Sequence, residues 1–408
     1  MMASPTMNST ILVINSGSSS VKFALYETAQ SQALTQLWSG AIERIGLSDG
    51  RFHATDANGA VAVDRTADIA DHRAALSLLL DAIEQRAPAR PVAAVGHRVV
   101  HGGPDCDCPL VVTAAVEERL RQLIPLAPLH QPNSLAGITA VRNARPDLLQ
   151  VACFDTAFHQ NMPRMAKLTG LPRELYDEGI RRYGFHGLSY EYIHNALRND
   201  GVDVDNECIV VAHLGNGASM CALKGGHSVD TTMGFSTLAG LPMGTRCGDL
   251  DPGIVLHLMV EKGLSIDRMQ QLLYDESGML GVSGLSRNMQ DLLARPSQVS
   301  AVEAVDYFAY QARRQLAALT AALGGLDRVV FTGGIGANSE VIRSKICTGL
   351  EYLGITIDHN RNGAGNRVIS TDNSRVFVEA FATNEELTIA EHVQKTLQSR
   401  PVSQETKS

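Results

Sequence analysis

The run Ile11-Leu12-Val13-Ile14, Asn15-Ser16-Gly17-Ser18-Ser19-Ser20, Val21-Lys22-Phe23-Ala24-Leu25-Tyr26 decides how the chain is read. Four apolar residues lead into six small or polar ones, and a largely apolar run resumes. That order is a buried strand, a tight turn and a returning strand. The pattern recurs at Cys208-Ile209-Val210-Val211-Ala212-His213-Leu214, Gly215-Asn216-Gly217-Ala218-Ser219 and Met220-Cys221-Ala222-Leu223. Each leading strand is apolar and free of acidic, Lys or Arg side chains, which suits the centre of a sheet covered on both faces. Two such hairpins in one chain predict a duplicated architecture.

Working outward, helical periodicity is clearest over 74–85, 189–198, 266–274, 302–323 and 385–398. Strand-like runs such as Ala93-Ala94-Val95-Gly96 and Val329-Val330-Phe331-Thr332 fall between the helices. Strands alternating with helices imply α/β domains. No Pro/Gly/Ser-rich linker divides the 408 residues, so two domains meeting face to face, with a ligand in the crevice, are expected. The polar ends, residues 1–8 and the last nine or so, read as frayed.

Composition removes several classes. With 44% hydrophobic and 19% charged residues the chain is neither disordered nor a coiled coil. A net charge of −8 without a basic run leaves nucleic acid without its electrostatic footprint. No apolar run reaches the roughly 18 residues that span a bilayer. Seven cysteines, with no signal-like opening, read as cytoplasmic thiols rather than an exported disulfide scaffold. Cys106 and Cys108 lack the second ligand pair that zinc needs.

Three small-residue loops each follow a strand-like run: 15–20, 213–217 and 333–338. Such loops let backbone N–H groups approach phosphate oxygens, and three together point to a nucleotide clamped between domains. The third is neither a Rossmann fingerprint nor a Walker loop. Glycine-flanked cations form a second set at His97-Arg98-Val99-Val100-His101, Arg181-Arg182-Tyr183-Gly184-Phe185-His186 and Gly244-Thr245-Arg246. A guanidinium fork grips carboxylate and phosphate bidentately. Asp155 ends an apolar run, where a carboxylate is either a helix N-cap or a site residue. Glu385 and Glu386 open the last helix, where negative charge is favourable in any case.

Taken in order, Asn15 to Lys22, Gly96 to Gly103, Phe154-Asp155-Thr156-Ala157-Phe158-His159, Arg182 to Gly187, His213 to Gly217, Met243-Gly244-Thr245-Arg246 and Thr383-Asn384-Glu385-Glu386-Leu387 resemble the acetate kinase family from about Thr10 to Gln398. The resemblance implies the acetate and sugar kinase, heat-shock-chaperone and actin superfold: two βββαβαβα domains with an active cleft between them, in a homodimer. It places the N-terminal domain at 9–155 plus 385–400 and the nucleotide-binding domain at 156–384. It implies Mg²⁺-dependent, reversible transfer from ATP to acetate, giving acetyl phosphate and ADP, with Mn²⁺ as a substitute ion and propionate as a related substrate.

By motif position, the resemblance gives Arg98 the acyl carboxylate, Val100, Leu129 and Phe185 the methyl wall, and His130 a supporting donor. It gives catalysis to Asp155, His186 and Arg246. It assigns Mg²⁺ to Asn15 and Glu385. Nucleotide contacts fall on Lys22, on His213, Leu214, Gly215, Asn216 and Gly217, on Asn288, Met289 and Gln290, and on Gly334, Ile335, Gly336, Ala337 and Asn338. The chemistry accords with this. A carboxylate is ionised at pH 7 and needs no general base; it needs its charge cancelled on approach to an anionic phosphoryl group.

The chain also departs from the family pattern. Asn288-Met289-Gln290 stands where Asp-x-Arg is usual, Ala337 replaces a Glu, and Thr237 replaces a Pro of the acyl pocket. A longer acyl substrate, another phosphoryl donor, and a catalytically silent nucleotide clamp are therefore the competing readings.

Overall fold

The computed structural model describes residues 9–28, 33–86 and 90–399; the two terminal stretches read above as frayed lie outside them. The chain divides into two compact units. One contains the chain up to Ala157 together with the part from Asn384 onward, and the other runs from Phe158 to Thr383.

In the first unit, β1 (Ser9–Ser16), β2 (Ser20–Thr28), β3 (Leu34–Glu43), β4 (Gly50–Asp56), β5 (Val61–Ala67), β6 (Val92–Val99), β7 (Leu110–Val111) and β8 (Leu149–Phe154) form one sheet. Its order is β5-β4-β3-β2-β1-β6-β8-β7. In the second unit, β9 (Ile209–Leu214), β10 (Ala218–Lys224), β11 (His227–Thr231), β12 (Arg328–Thr332) and β13 (Phe377–Ala380) lie in the order β11-β10-β9-β12-β13. The duplication expected from the two hairpins therefore extends to five strands of each sheet. Each core is an antiparallel trio, β3-β2-β1 or β11-β10-β9, whose first strand is flanked by two parallel strands, β6-β8 or β12-β13. Strands β4, β5 and β7 are additions to the first copy.

Hydrophobic burial explains the central strands. Ile11 to Ile14 and Ile209 to Ala212 are each at most 1% exposed, and burying one such aliphatic side chain contributes about 1.5–3 kcal/mol. The helices expected from periodicity form with slightly wider bounds: His72–Arg86, Gly187–Asn199, Ile266–Asp275, Val299–Leu323 and Glu385–Ser399.

Two of these helices change sheets. Gly187–Asn199 follows β8 in sequence, yet its Tyr190, Ile193 and Leu197 pack with Ile209 and Val211 of the second sheet. Glu385–Ser399 follows β13 but packs on the first sheet, against β6 and β1. Gly96 permits that docking, because a Cβ there would run into Ile389 and Val393 of the helix.

Candidate functional site

The carboxyl ends of β1, β6 and β8 carry Asn15, Arg98 and, one residue past its strand, Asp155. Ligands of open parallel sheets bind at such ends. Asp155 is only 1% exposed, and its N–H donates to the Val99 carbonyl at 3.1 Å. It does not cap a helix. Arg98 donates to it twice instead, Nε to Oδ1 at 3.0 Å and Nη2 to Oδ2 at 2.6 Å. Glu385, at the start of the returning helix, lies 3.7 Å from Arg98 Nε. Burial penalises the Arg98 charge, but Asp155 and Glu385 hold it protonated beyond the ordinary arginine range. Burial also pushes the Glu385 carboxyl up to about 7; Arg98 opposes the rise, Asp155 and Glu386 reinforce it, and Lys22 lowers it slightly. Lys22 pairs with Asn15 across the β1–β2 hairpin.

The cationic set needs correction at its histidines. His97 Nε2 donates to Gln150 Oε1 at 2.8 Å, and burial lowers its pKa to about 4. His101, whose Nδ1 accepts from the Gly103 N–H, is likewise lowered to about 4 by burial. Both are neutral at pH 7, so Arg98 carries the positive charge of that motif. Arg182 turns out to be structural: its Nη1 donates to the carbonyls of Thr231, Thr232 and Met233. In the first unit Val100 is half-buried, Leu129 is exposed, and His130 precedes the helix Gln131–Ala144.

The second unit assembles the remaining residues around its hairpin. His186 takes a left-handed backbone, φ 58°, just before the helix Gly187–Asn199. Its ring stacks on His213 with centroids 4.3 Å apart and planes 20° from parallel. The turn between β9 and β10 closes with Gly215 N–H donating to Gly217 O at 3.0 Å, while Gly244 N–H donates to Asn216 O at 3.3 Å. The Gly244-Thr245-Arg246 turn therefore abuts the His213–Gly217 turn. Arg246 Nη1 donates to Thr237 O at 3.2 Å. Phe185 is buried, and its carbonyl meets His159 Nε2 at 3.0 Å.

The third small-residue stretch is not a loop. Gly333–Asn338 is a short helix that begins at the end of β12. Gly333 has φ 75°, and a Cβ on it would sit 2.6 Å from Leu214 O, so only glycine lets this helix start so close to β9. A Cβ on Gly215 would lie 3.8 Å from Gly334 N, which sets the glycine turn beside the start of this helix. Asn288 accepts from Gln290 N–H at 3.0 Å as the N-cap of Met289–Leu293, so its amide serves the local helix, and Met289 is buried.

Sequence reasoning missed Arg343, Asn362, Ser189 and Ser219. Arg343, 2% exposed, donates to the carbonyls of Gly336 and Ala337 at 2.9 and 2.8 Å and to Asn362 Oδ1 at 2.7 Å, holding the end of the short helix. No local pattern marks such a residue. Ser189 and Ser219 carry no local mark either, because each bonds the histidine of the other element.

Residues 10–391 match the acetokinase family. An acetate kinase of Methylocella silvestris is 47% identical over 395 residues, covering 95% of this chain and 97% of the relative. The crystal structure of Porphyromonas gingivalis acetate kinase is 37% identical, with a TM-score of 0.86 over 95% of this chain and 100% of that one. A propionate kinase from Francisella tularensis is 36% identical, with a TM-score of 0.88 over 94% of this chain and 98% of that one.

Proposed function

Since the chain belongs to the acetokinase family, we propose that it is an acetate kinase, transferring the γ-phosphoryl group of ATP to the carboxylate of acetate to give acetyl phosphate and ADP. The observation that carries this reading is the Arg98–Asp155 pair. A guanidinium gripped bidentately through Nε and Nη2 keeps its Nη1 edge for an incoming carboxylate. Asp155 thus acts by orienting Arg98 rather than by moving a proton, which an ionised acceptor does not require.

In this reading Arg246 and His186 stabilise the equatorial oxygens of the transferring phosphoryl group, where positioning and electrostatics supply most of the catalysis. The glycine turn at 215–217 and the short helix Gly333–Asn338, with Lys22, take the nucleotide. Val100, Leu129 and Phe185 take the methyl group, and His130 supports them.

Mg²⁺ accords with the donors present. Asn15 and Glu385 offer an amide and a carboxylate oxygen, and Mg²⁺ binds through one or two carboxylates plus waters and substrate phosphates. Glu385, raised to about 7 by burial and flanked by Asp155 and Glu386, is a carboxylate short of compensating positive charge. The ion, or Mn²⁺ in its place, would neutralise phosphate charge there.

The test is hydroxamate trapping of the acyl phosphate, pairing acetate, propionate and butyrate with ATP, GTP and pyrophosphate. Acetate with ATP is expected to be the best pair. Best activity with propionate would move the substrate assignment to the Francisella relative's, and trapping only with another donor would show a re-purposed nucleotide site. ATP binding by folded protein with no trapped product would leave a silent clamp.

The same reading makes the enzyme a homodimer. The helix Pro252–Val260 buries none of its residues, although Ile254, Leu256 and Val260 are 44, 64 and 74% exposed, and Ile266 nearby is 73% exposed. An apolar surface of this kind calls for a cover, and a second copy supplies the matching one. Leu256→Glu with Val260→Glu is expected to halve the mass measured by light scattering; an unchanged mass would place the interface elsewhere. Seven cysteine thiols suit a reducing, cytoplasmic compartment, and among the described residues no helix is long and apolar enough to cross a membrane.

A further inference from the structure

Behind the stacked imidazoles lies a reciprocal arrangement of hydroxyls. His186 and Ser189 belong to one element, the second three residues after the first at the start of the helix Gly187–Asn199. His213 and Ser219 belong to the other, facing each other as register partners across the β9–β10 hairpin. Each histidine bonds the serine of the opposite element: His186 Nδ1 meets Ser219 Oγ at 2.8 Å, and His213 Nδ1 meets Ser189 Oγ at 2.8 Å. Both serines are fully buried, and Tyr190, also buried, hydrogen-bonds the Ser219 hydroxyl.

The other ring nitrogens point the other way. A Cβ on Gly217 would lie 3.1 Å from His186 Nε2, and one on Gly215 would lie 4.0 Å from His213 Nε2. Both Nε2 atoms therefore face the glycine turn. We infer that Ser189 and Ser219 are positioning residues that hold His213 and His186 as Nε2–H tautomers, making the stack a neutral two-donor receptor for the phosphate chain. This rests on the phosphoryl-binding role proposed above for His186 and on the nucleotide contact that the family resemblance gives His213.

The proton order follows from acidity. The phenol of Tyr190 is the stronger acid and donates to Ser219 Oγ; the serine proton is then given to His186 Nδ1, which must accept it, and the ring proton sits on Nε2. Ser189 Oγ stands against His213 Nδ1 at the same 2.8 Å, and we extend the same proton order to that pair. Rings stacked this closely disfavour charge on both at once, since two imidazolium ions would repel. A serine hydroxyl on each Nδ1 thus fixes direction and tautomer together, as outer partners do for histidines that bind metal.

The test uses the full-length enzyme. In the wild type, imidazole ¹⁵N shifts of His186 and His213 are expected to report Nε2–H tautomers; Nδ1–H in both would overturn the inference without any mutation. Ser219→Ala is expected to lower kcat about tenfold to a hundredfold while both KM values stay within about twofold. Ser219→Thr, which keeps the hydroxyl, should recover most of that loss. In a His186→Ala background, Ser219→Ala should cost nothing more. Full activity of Ser219→Ala beside a collapsed His186→Ala would refute the serine's role and leave the histidine's standing. An unaffected His186→Ala would remove both. Should Ser219→Ala fail to fold, Tyr190→Phe and the wild-type spectrum still decide the matter.

Discussion

Arg246→Ala is expected to lower kcat by about 10²–10³, with the nucleotide KM little changed, because the lost contact is strongest when charge develops on the transferring group. The fold around it survives the change. Its turn is braced by backbone hydrogen bonds, Met243 N–H to Arg246 O at 3.0 Å and Ser277 N–H to Thr245 O at 2.9 Å, which alanine retains. Steady-state kinetics beside a thermal melt separate the two effects. A kcat within a few-fold of wild type in a folded variant would refute the assignment, and an unfolded variant would make Arg246 an architectural residue. Arg246→Lys should recover little, since a point charge does not reproduce the planar fork.

Arg98→Ala carries the second large effect, and it has two parts. Removing the guanidinium leaves Asp155, 1% exposed, as a buried carboxylate without its partner, which costs on the order of 3–5 kcal/mol of stability. It also removes the acetate anchor, so kcat/KM for acetate should fall far more than the nucleotide KM rises. Adding Asp155→Asn separates the parts: the double variant is expected to regain much of the stability and none of the acetate use. If the double variant were as unstable as Arg98→Ala alone, the pair would not be what stabilises the end of β8. If acetate use returned with stability, the carboxylate would bind elsewhere.

Much of this was legible in the chain, for physical reasons. The central strands β1 and β9 announce themselves because a strand buried on both faces admits almost no charge, and the five periodic helices because a stripe of apolar side chains repeats with the helical turn. The Gly333–Asn338 helix hid behind its composition: small residues read as a loop, and only the tertiary contact of Gly333 with Leu214 and the bonds from Arg343 make it helical. His97 and His101 looked cationic because sequence shows a titratable group but not its desolvation. Asp155 was left between cap and site residue, since its partner Arg98 lies 57 positions away and is joined to it only by the pairing of β6 with β8. Ser189 and Ser219 were overlooked because each matters only beside a histidine on the other element.

The exchange of helices between the two sheets bears on how the protein is made. Synthesis runs from the amino end, and domains ordinarily finish folding as they emerge. Here the first sheet is complete in sequence by Phe154, but one face of β1 and β6 waits for Glu385–Ser399. The first half therefore cannot close until Glu385–Ser399 has left the ribosome, by which time the stretch from Phe158 to Thr383 has already emerged. Glu385 travels on that last helix, so the carboxylate cluster around Arg98 is completed in the same step that seals the core. A ribosome that stalls short of Glu385–Ser399 yields a chain with an open core and an unfinished site: the order of synthesis itself withholds the catalyst until that helix is made.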